Sequence, residues 1–237
     1  MHNSIKKTFK AFTMTEVLIT LGIIGIVAAM TFPGVMSKYR KKEVETKLAK
    51  IYSVMNQAIN LVIAENGDYH GWVKDCGPSA APTCTTDDML LWYNETIGKQ
   101  IKSLSVKKVT SPTEGILVYF EDGSILFINN YIYDMIYYTE EKAIQNPRNA
   151  YNKFDFRFNP YILAHQATNA PEVYKWTLNK GFEPYTYQWD GTREGLLEGK
   201  NGGVYYSCSE KSTEKSYCTK LIQIEGWKIP DDYPVKF

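Results

Sequence analysis

The stretch Lys10-Ala11-Phe12-Thr13-Met14-Thr15-Glu16, followed by sixteen uncharged residues from Val17 to Phe32, constrains this chain more than any other part of it. Phe12 to Phe32 is 21 residues, about 31 Å of α-helix and long enough to cross a hydrocarbon core. A carboxylate stands at the entrance of this run. An ionisable group at mid-depth of a bilayer costs about 2.5–3.5 kcal/mol by insertion scales, so one that is present calls for a partner or a task. Upstream, Lys6, Lys7 and Lys10 form a short basic leader.

With a small residue at Ala11, Phe12 next to it and Glu16 four positions on, the segment resembles type IV prepilins and the pseudopilins of type II secretion systems. The resemblance implies cleavage between Ala11 and Phe12 by a membrane prepilin peptidase and N-methylation of Phe12. It also implies subunit assembly through Glu16, paired with the freed Phe12 amine of a neighbour. Gly25 and Pro33 fall where the family tends to place a glycine and a proline; the family usually has Gly, not Ala, before the cut.

Three other readings compete for the same residues. A secretory signal would use Val27-Ala28-Ala29 as its small-x-small site and cut after Ala29. Its apolar core would be unusually long, however, and would open with Glu16. A plain one-pass anchor leaves Glu16 unexplained. A buried core helix is disfavoured by length and lack of charge.

Beyond Pro33-Gly34 a new pattern begins. Val44, Leu48, Ile51, Met55, Ala58 and Val62 recur at spacings of 4, 3, 4, 3 and 4, the seam of a helix with one face against something. Tyr52, Ile59 and Ile63 widen it to a face broad enough to carry a globular head; under three heptads is short for a free coiled coil. Asn66-Gly67 is a stop signal, because Gly takes the left-handed conformation that ends helices. The spacing predicts one helix from Phe12 to Asn66, about 80 Å long, with a kink at Pro33, whose ring removes one backbone hydrogen bond. Between Lys38 and Lys50 lie six basic and two acidic residues. Such a run suits a solvated helix face or acidic neighbouring subunits better than lipid headgroups or nucleic acid. Positive charge flanks both ends of the span, so charge alone does not orient it.

Residues 67–237 are of a size for one domain and hold all 5 tryptophans and most of the 18 tyrosines, a β-favouring composition. Ile116–Phe120 and Ile125–Ile128 around Glu121-Asp122-Gly123-Ser124 predict a hairpin turning on Asp-Gly. Val106–Val109 reads as a strand before it, and Tyr131–Tyr138 or Phe154–Phe158 as strands after it. Cys218–Pro234, through Leu221-Ile222-Gln223-Ile224, reads as a last strand and a tail over the head. Strands within 139–205, which carry Pro147, Pro160 and Pro171, are not assignable from pattern. Tyr185-x-Tyr187-x-Trp189 would put three aromatics on one strand face. That row reads as core or half-buried rather than as a stacking platform for sugars or nucleotides.

The four cysteines fall in two local pairs, Cys76/Cys84 and Cys208/Cys218. Three pairings are open, and local closure of two small loops is preferred. Zinc would need tighter Cys-x-x-Cys spacing and nearby histidines. No nucleophile elbow, metalloprotease helix or phosphate loop is present. Asp87-Asp88, Asp231-Asp232, Asp134 and Asp190-Gly191 read as surface acids rather than as calcium ligands. The chain has 27 basic and 26 acidic side chains, and leader removal would take three lysines and leave 24 basic against 26 acidic. A nucleic-acid partner is conceivable but unsupported by that balance.

The expected fold is α+β and pilin-like: a long N-terminal helix, membrane half plus amphipathic half, packed on an antiparallel β-sheet head. Expected segments are a leader 1–11, a transmembrane and polymerisation helix 12–33, its amphipathic continuation 34–66, and a β-rich head 67–237 with two disulfide loops. The expected role is a non-enzymatic filament subunit without cofactor or metal. Its implied partners are other pilin-like subunits, prepilin peptidase and an inner-membrane assembly platform. Its expected location is the bacterial inner membrane, single-pass with the head outside the cytoplasm, then a filament in the periplasm or at the cell surface. A minor subunit at an adhesive or DNA-uptake tip is the alternative, and a secreted protein behind an ordinary signal peptide a further one.

Overall fold

The structure, a computed structural model, describes residues 12–73, 84–111, 113–130, 133–160, 170–199 and 204–237. Helix α1 runs Met14–Asn66 and is followed by α2 (Thr86–Glu95) and α3 (Ile97–Gln100). The strands are β1 (Ser105–Val109), β2 (Gly115–Tyr119), β3 (Ile125–Asn129), β4 (Asp134–Tyr138), β5 (Lys153–Phe158) and β6 (Phe182–Pro184). Short helices α4 (Lys142–Gln145) and α5 (Ala170–Val173) flank β5, and α6 (Arg193–Glu198) and α7 (Tyr217–Ile224) follow the sheet. By contact the chain divides between Lys41 and Lys42.

From Val17 to Phe32 α1 carries no charge on any side, with Leu18, Ile24 and Phe32 each more than half exposed. A helix of this kind is at home in lipid or among other helices. The two hydroxyls between Val17 and Phe32 return to the helix itself, Thr20 Oγ1 donating to the Val17 carbonyl at 2.9 Å and Thr31 Oγ1 to the Val27 carbonyl at 3.0 Å. Neither therefore needs water. Pro33 lies inside the helix, with no N–H to give the Ala29 carbonyl.

After the division, all six residues of the 4-3-4-3-4 stripe are buried, with Ile59 beside them. They share one core with the inward-facing residues of an antiparallel meander whose strand order is β1-β2-β3-β4-β5-β6. Cross-strand rows show why the register holds: Ile116, Ile128, Met135 and Phe156 align, as do Val118, Leu126, Tyr137 and Phe154. A slip of one residue would turn every one of these to the other face. The turn between β2 and β3 places Gly123 at φ +75°, and Asp122 Oδ1 accepts the Ser124 N–H at 3.1 Å. Helix α1 ends as its residues dictate, Gly67 at φ +82° donating its N–H to the Ile63 carbonyl at 2.9 Å.

The two edges of the sheet are managed differently. On β1, Lys107 and Lys108 are exposed, charges that discourage strand addition. At β6, the Asn56 amide of α1 takes the place of a further strand. Its Nδ2 donates to the Phe182 carbonyl and its Oδ1 accepts the Phe182 N–H, both at 2.9 Å. Gly181 permits this approach, since a Cβ there would lie 2.1 Å from Asn56 Oδ1.

Two expectations are corrected. Leu221–Ile224 is not a strand but part of α7. Tyr217, Cys218, Leu221 and Ile222 are among its buried residues, a 3.6-residue period that the short Leu-Ile-Gln-Ile segment taken alone hides. Tyr185, Tyr187 and Trp189 do not line a strand face: β6 ends at Pro184, Gln188 sits at φ +57°, and Trp189 N–H closes a turn on the Thr186 carbonyl. After α1 come a single 3-10 turn, Tyr69–Gly71, and then α2, which is started by a capping box in which Thr85 and Asp88 each bond the other's backbone N–H.

Candidate functional site

At the start of α1, Phe12 is 84% exposed and Glu16 is already bound within the chain. Glu16 Oε2 accepts the Thr13 N–H at 2.8 Å and the Thr13 hydroxyl at 2.9 Å, while Glu16 N–H donates to Thr13 Oγ1 at 3.2 Å. This is a reciprocal capping box at the first turn. It occupies one carboxylate oxygen and leaves Oε1 without a hydrogen bond among the described residues. As a charge at the mouth of an apolar run, Glu16 is expected to await a neighbour, and that expectation misses the local partner; the Thr-x-x-Glu spacing is its signal. Ala11 lies outside the described residues.

Cys208 and Cys218 form a disulfide that closes the loop into α7. Cys84 is disulfide-bonded, and Cys76, the partner expected for it, lies outside the described residues. The acidic pairs are engaged in ion pairs and caps. Asp87 meets Lys108, Asp88 caps α2, and Asp134 meets the buried Arg157. Asp232 takes a bidentate hold on Arg193 at 2.8 and 2.9 Å, and Glu225 accepts from Arg193 Nε at 2.6 Å. The Arg193 bonds hold the Asp232 carboxyl below its ordinary range. His70 is exposed beside Asp68, and His2 and His165 lie outside the described residues.

The head carries one aromatic constellation that the sequence did not assemble. Tyr206 meets Tyr185 at 5.3 Å, Tyr187 at 5.9 Å, Tyr205 at 4.9 Å and Tyr217 at 6.1 Å between ring centres. Just before the loop closed by Cys208–Cys218, Tyr206 thus meets residues some twenty positions earlier. Beneath them Asp155 on β5 accepts the Ser216 hydroxyl at 2.6 Å, and burial pushes its carboxyl above the ordinary range.

Two family models match the chain. The model described as a prokaryotic N-terminal methylation motif covers residues 6–32, and the model described as a family of unknown function (DUF6613) covers residues 34–237. No curated protein and no solved structure matches it significantly. A methylation motif leading into a long apolar helix, followed by a six-stranded antiparallel sheet, defines a type IV pilin-like or pseudopilin-like protein. Proteins of this class are structural rather than enzymatic, and the N-terminal helix fits a membrane-anchored subunit. The chain belongs to the family of unknown function (DUF6613), whose model spans the whole head and the helical half beneath it.

Proposed function

We propose that this protein is a structural subunit of a type IV pilus-like or type II secretion pseudopilus filament. Residues 1–11 are a leader that prepilin peptidase removes between Ala11 and Phe12, and Phe12 is then N-methylated. Residues 12–33 span the inner membrane and later polymerise, 34–66 continue the helix beneath the head, and 67–237 form the head outside the cytoplasm. An inner-membrane platform transfers the span from lipid into the filament. The observation that carries this reading is the methylation motif on an apolar helix whose exposed side chains have no other cover among the described residues.

Glu16 supplies register. One carboxylate oxygen is held by Thr13 and the other is open, so a neighbour's Phe12 amine can bind without opening the cap. An unpaired carboxylate in the apolar bundle would cost several kcal/mol, and that cost favours one axial step over others. Mass spectrometry of the mature N-terminus tests the reading. A chain beginning with methylated Phe12 supports it, and one beginning at Met30 assigns the segment to an ordinary signal peptide and rules it out. A second reading, a minor subunit at an adhesive or DNA-uptake tip, draws on the long 139–205 region; counting copies per filament separates the two.

A further inference from the structure

A cleft of about 270 Å³ opens over the outer side of β4 and β5, where the loop closed by Cys208–Cys218 passes above the sheet. Its floor is Lys153 and Asp155 of β5, and its walls are Tyr185, Tyr205, Tyr206 and Glu214. Lys153 is the informative residue. Its side chain is 16% exposed, and its ammonium lies 3.9 Å from Asp155 Oδ1 and 3.8 Å from Glu214 Oε2. Both distances are too long for a direct hydrogen bond. Among the described residues the ammonium therefore has charge partners but no acceptor for its three donors. A group that bridges such a pair from beside it accepts from the ammonium and donates to the carboxylate. A hydroxyl does both.

The walls narrow the chemistry further. Tyr205 is 54% exposed and its ring stands at 84° to Tyr206, so it offers an apolar edge or face at the mouth. Its hydroxyl reaches Glu214 Oε1 only at 3.4 Å. Aromatic rings beside paired polar groups suit a molecule with apolar C–H faces and hydroxyl edges. Charge turns away an anion, which would face Asp134, Asp155 and Glu214 together, while an organic cation would lie against the Lys153 ammonium. The volume is below the roughly 300–1,000 Å³ of pockets for drug-sized ligands, which limits the occupant to about one ring.

We propose that this cleft is a binding site for one ring of a neutral saccharide, with Lys153, Asp155 and Glu214 holding its hydroxyls and Tyr205 covering its C–H face. The site is separate from the assembly segment and stands or falls independently of the filament role. It is tested by saturation-transfer NMR on the full chain in lipid nanodiscs, without glycosidic detergent. The probes are the methyl glycosides of glucose, galactose, mannose and N-acetylglucosamine, with tetramethylammonium and N-acetylneuraminate as charged comparisons. The expected result is transfer to the ring protons of at least one neutral glycoside. Tyr205→Ala and Lys153→Met should each weaken that binding five-fold or more, and Leu91→Ala on the exposed side of α2 should leave it unchanged. Circular dichroism accompanies each variant. If Lys153→Met fails to fold, Tyr205→Ala, at a residue more than half exposed, carries the test alone. No transfer to any neutral glycoside overturns the proposal. So does binding undiminished in Tyr205→Ala, or a preference for either charged probe.

Discussion

Glu45 is the carboxylate on which the head's C-terminal tail closes. It lies on the buried side of α1 at 7% exposure, where its Oε1 accepts the Ile229 N–H at 3.0 Å. Its Oε2 lies 3.4 Å from Lys228 Nζ and 3.6 Å from Lys42 Nζ. Replacing it with alanine strands a buried backbone donor, at a cost of about 1–3 kcal/mol. Glu45→Ala should therefore lower the urea midpoint and speed hydrogen exchange at the Ile229 amide, while Glu45→Gln, which keeps an acceptor, should recover part of both. Asp122 contributes with a definite sign in pH. Burial alone would raise its carboxyl, but the bonds from Lys50, at 2.7 Å, and from Ser124 outweigh that and hold it below the ordinary value. A depressed folded-state pKa gives stability that is present above the ordinary carboxylate range and lost as pH falls through the folded value. Stability measured from neutral pH downward should decline below about pH 4, and Asp122→Asn should flatten that decline. Of these two residues, the sequence displayed only the Asp-Gly turn; the grip of Glu45 on a backbone 184 positions away leaves no local pattern.

At the scale of elements, legibility followed the range of the forces. The stripe from Val44 to Val62 and the hairpin around Asp122-Gly123 were readable because periodicity and turn chemistry act over a few residues, and each of those six stripe residues is buried. Helix α7 differs from the strand reading because Leu221, Ile222 and Ile224 around Gln223 fit either period; what decides it is Tyr217 and Cys218 one turn earlier, buried with Leu221 and Ile222. Strand β6 carries only three residues, one of them proline, and its edge is satisfied by the Asn56 amide from 126 positions away. No propensity could announce it. The tyrosine cluster gathers residues from 185 to 217, beside the Cys208–Cys218 closure. That closure spans a sequence separation of 10, and loop-closure entropy for such a loop is about 2–3 kcal/mol. Replacing both cysteines with serine should lower stability by about that amount. Proteolysis within 205–216 should accelerate while the buried β2–β3 hairpin keeps its protection from hydrogen exchange. Loss of protection throughout the head would instead make the disulfide a condition of folding.

At the scale of the whole molecule, one side chain does two things that a single deletion confounds. Glu16 closes a capping box with Thr13 and, in the proposed filament, presents its free oxygen to a neighbour's amine. Alanine at position 16 removes both roles: Glu16→Ala should still insert in the membrane but fail to enter filaments. The roles separate in two other variants. Glu16→Gln keeps a side chain that serves in capping boxes but has no charge for an amine. Thr13→Ala keeps the charge and loses the cap, at about 1 kcal/mol for the helix start. Pairing between subunits predicts that filament incorporation collapses in Glu16→Gln and largely survives in Thr13→Ala, read by shearing filaments from cells and quantifying the subunit in sheared and membrane fractions. The opposite pattern, filaments from Glu16→Gln and none from Thr13→Ala, would assign Glu16 to starting the helix and leave register to the apolar packing of residues 17–32.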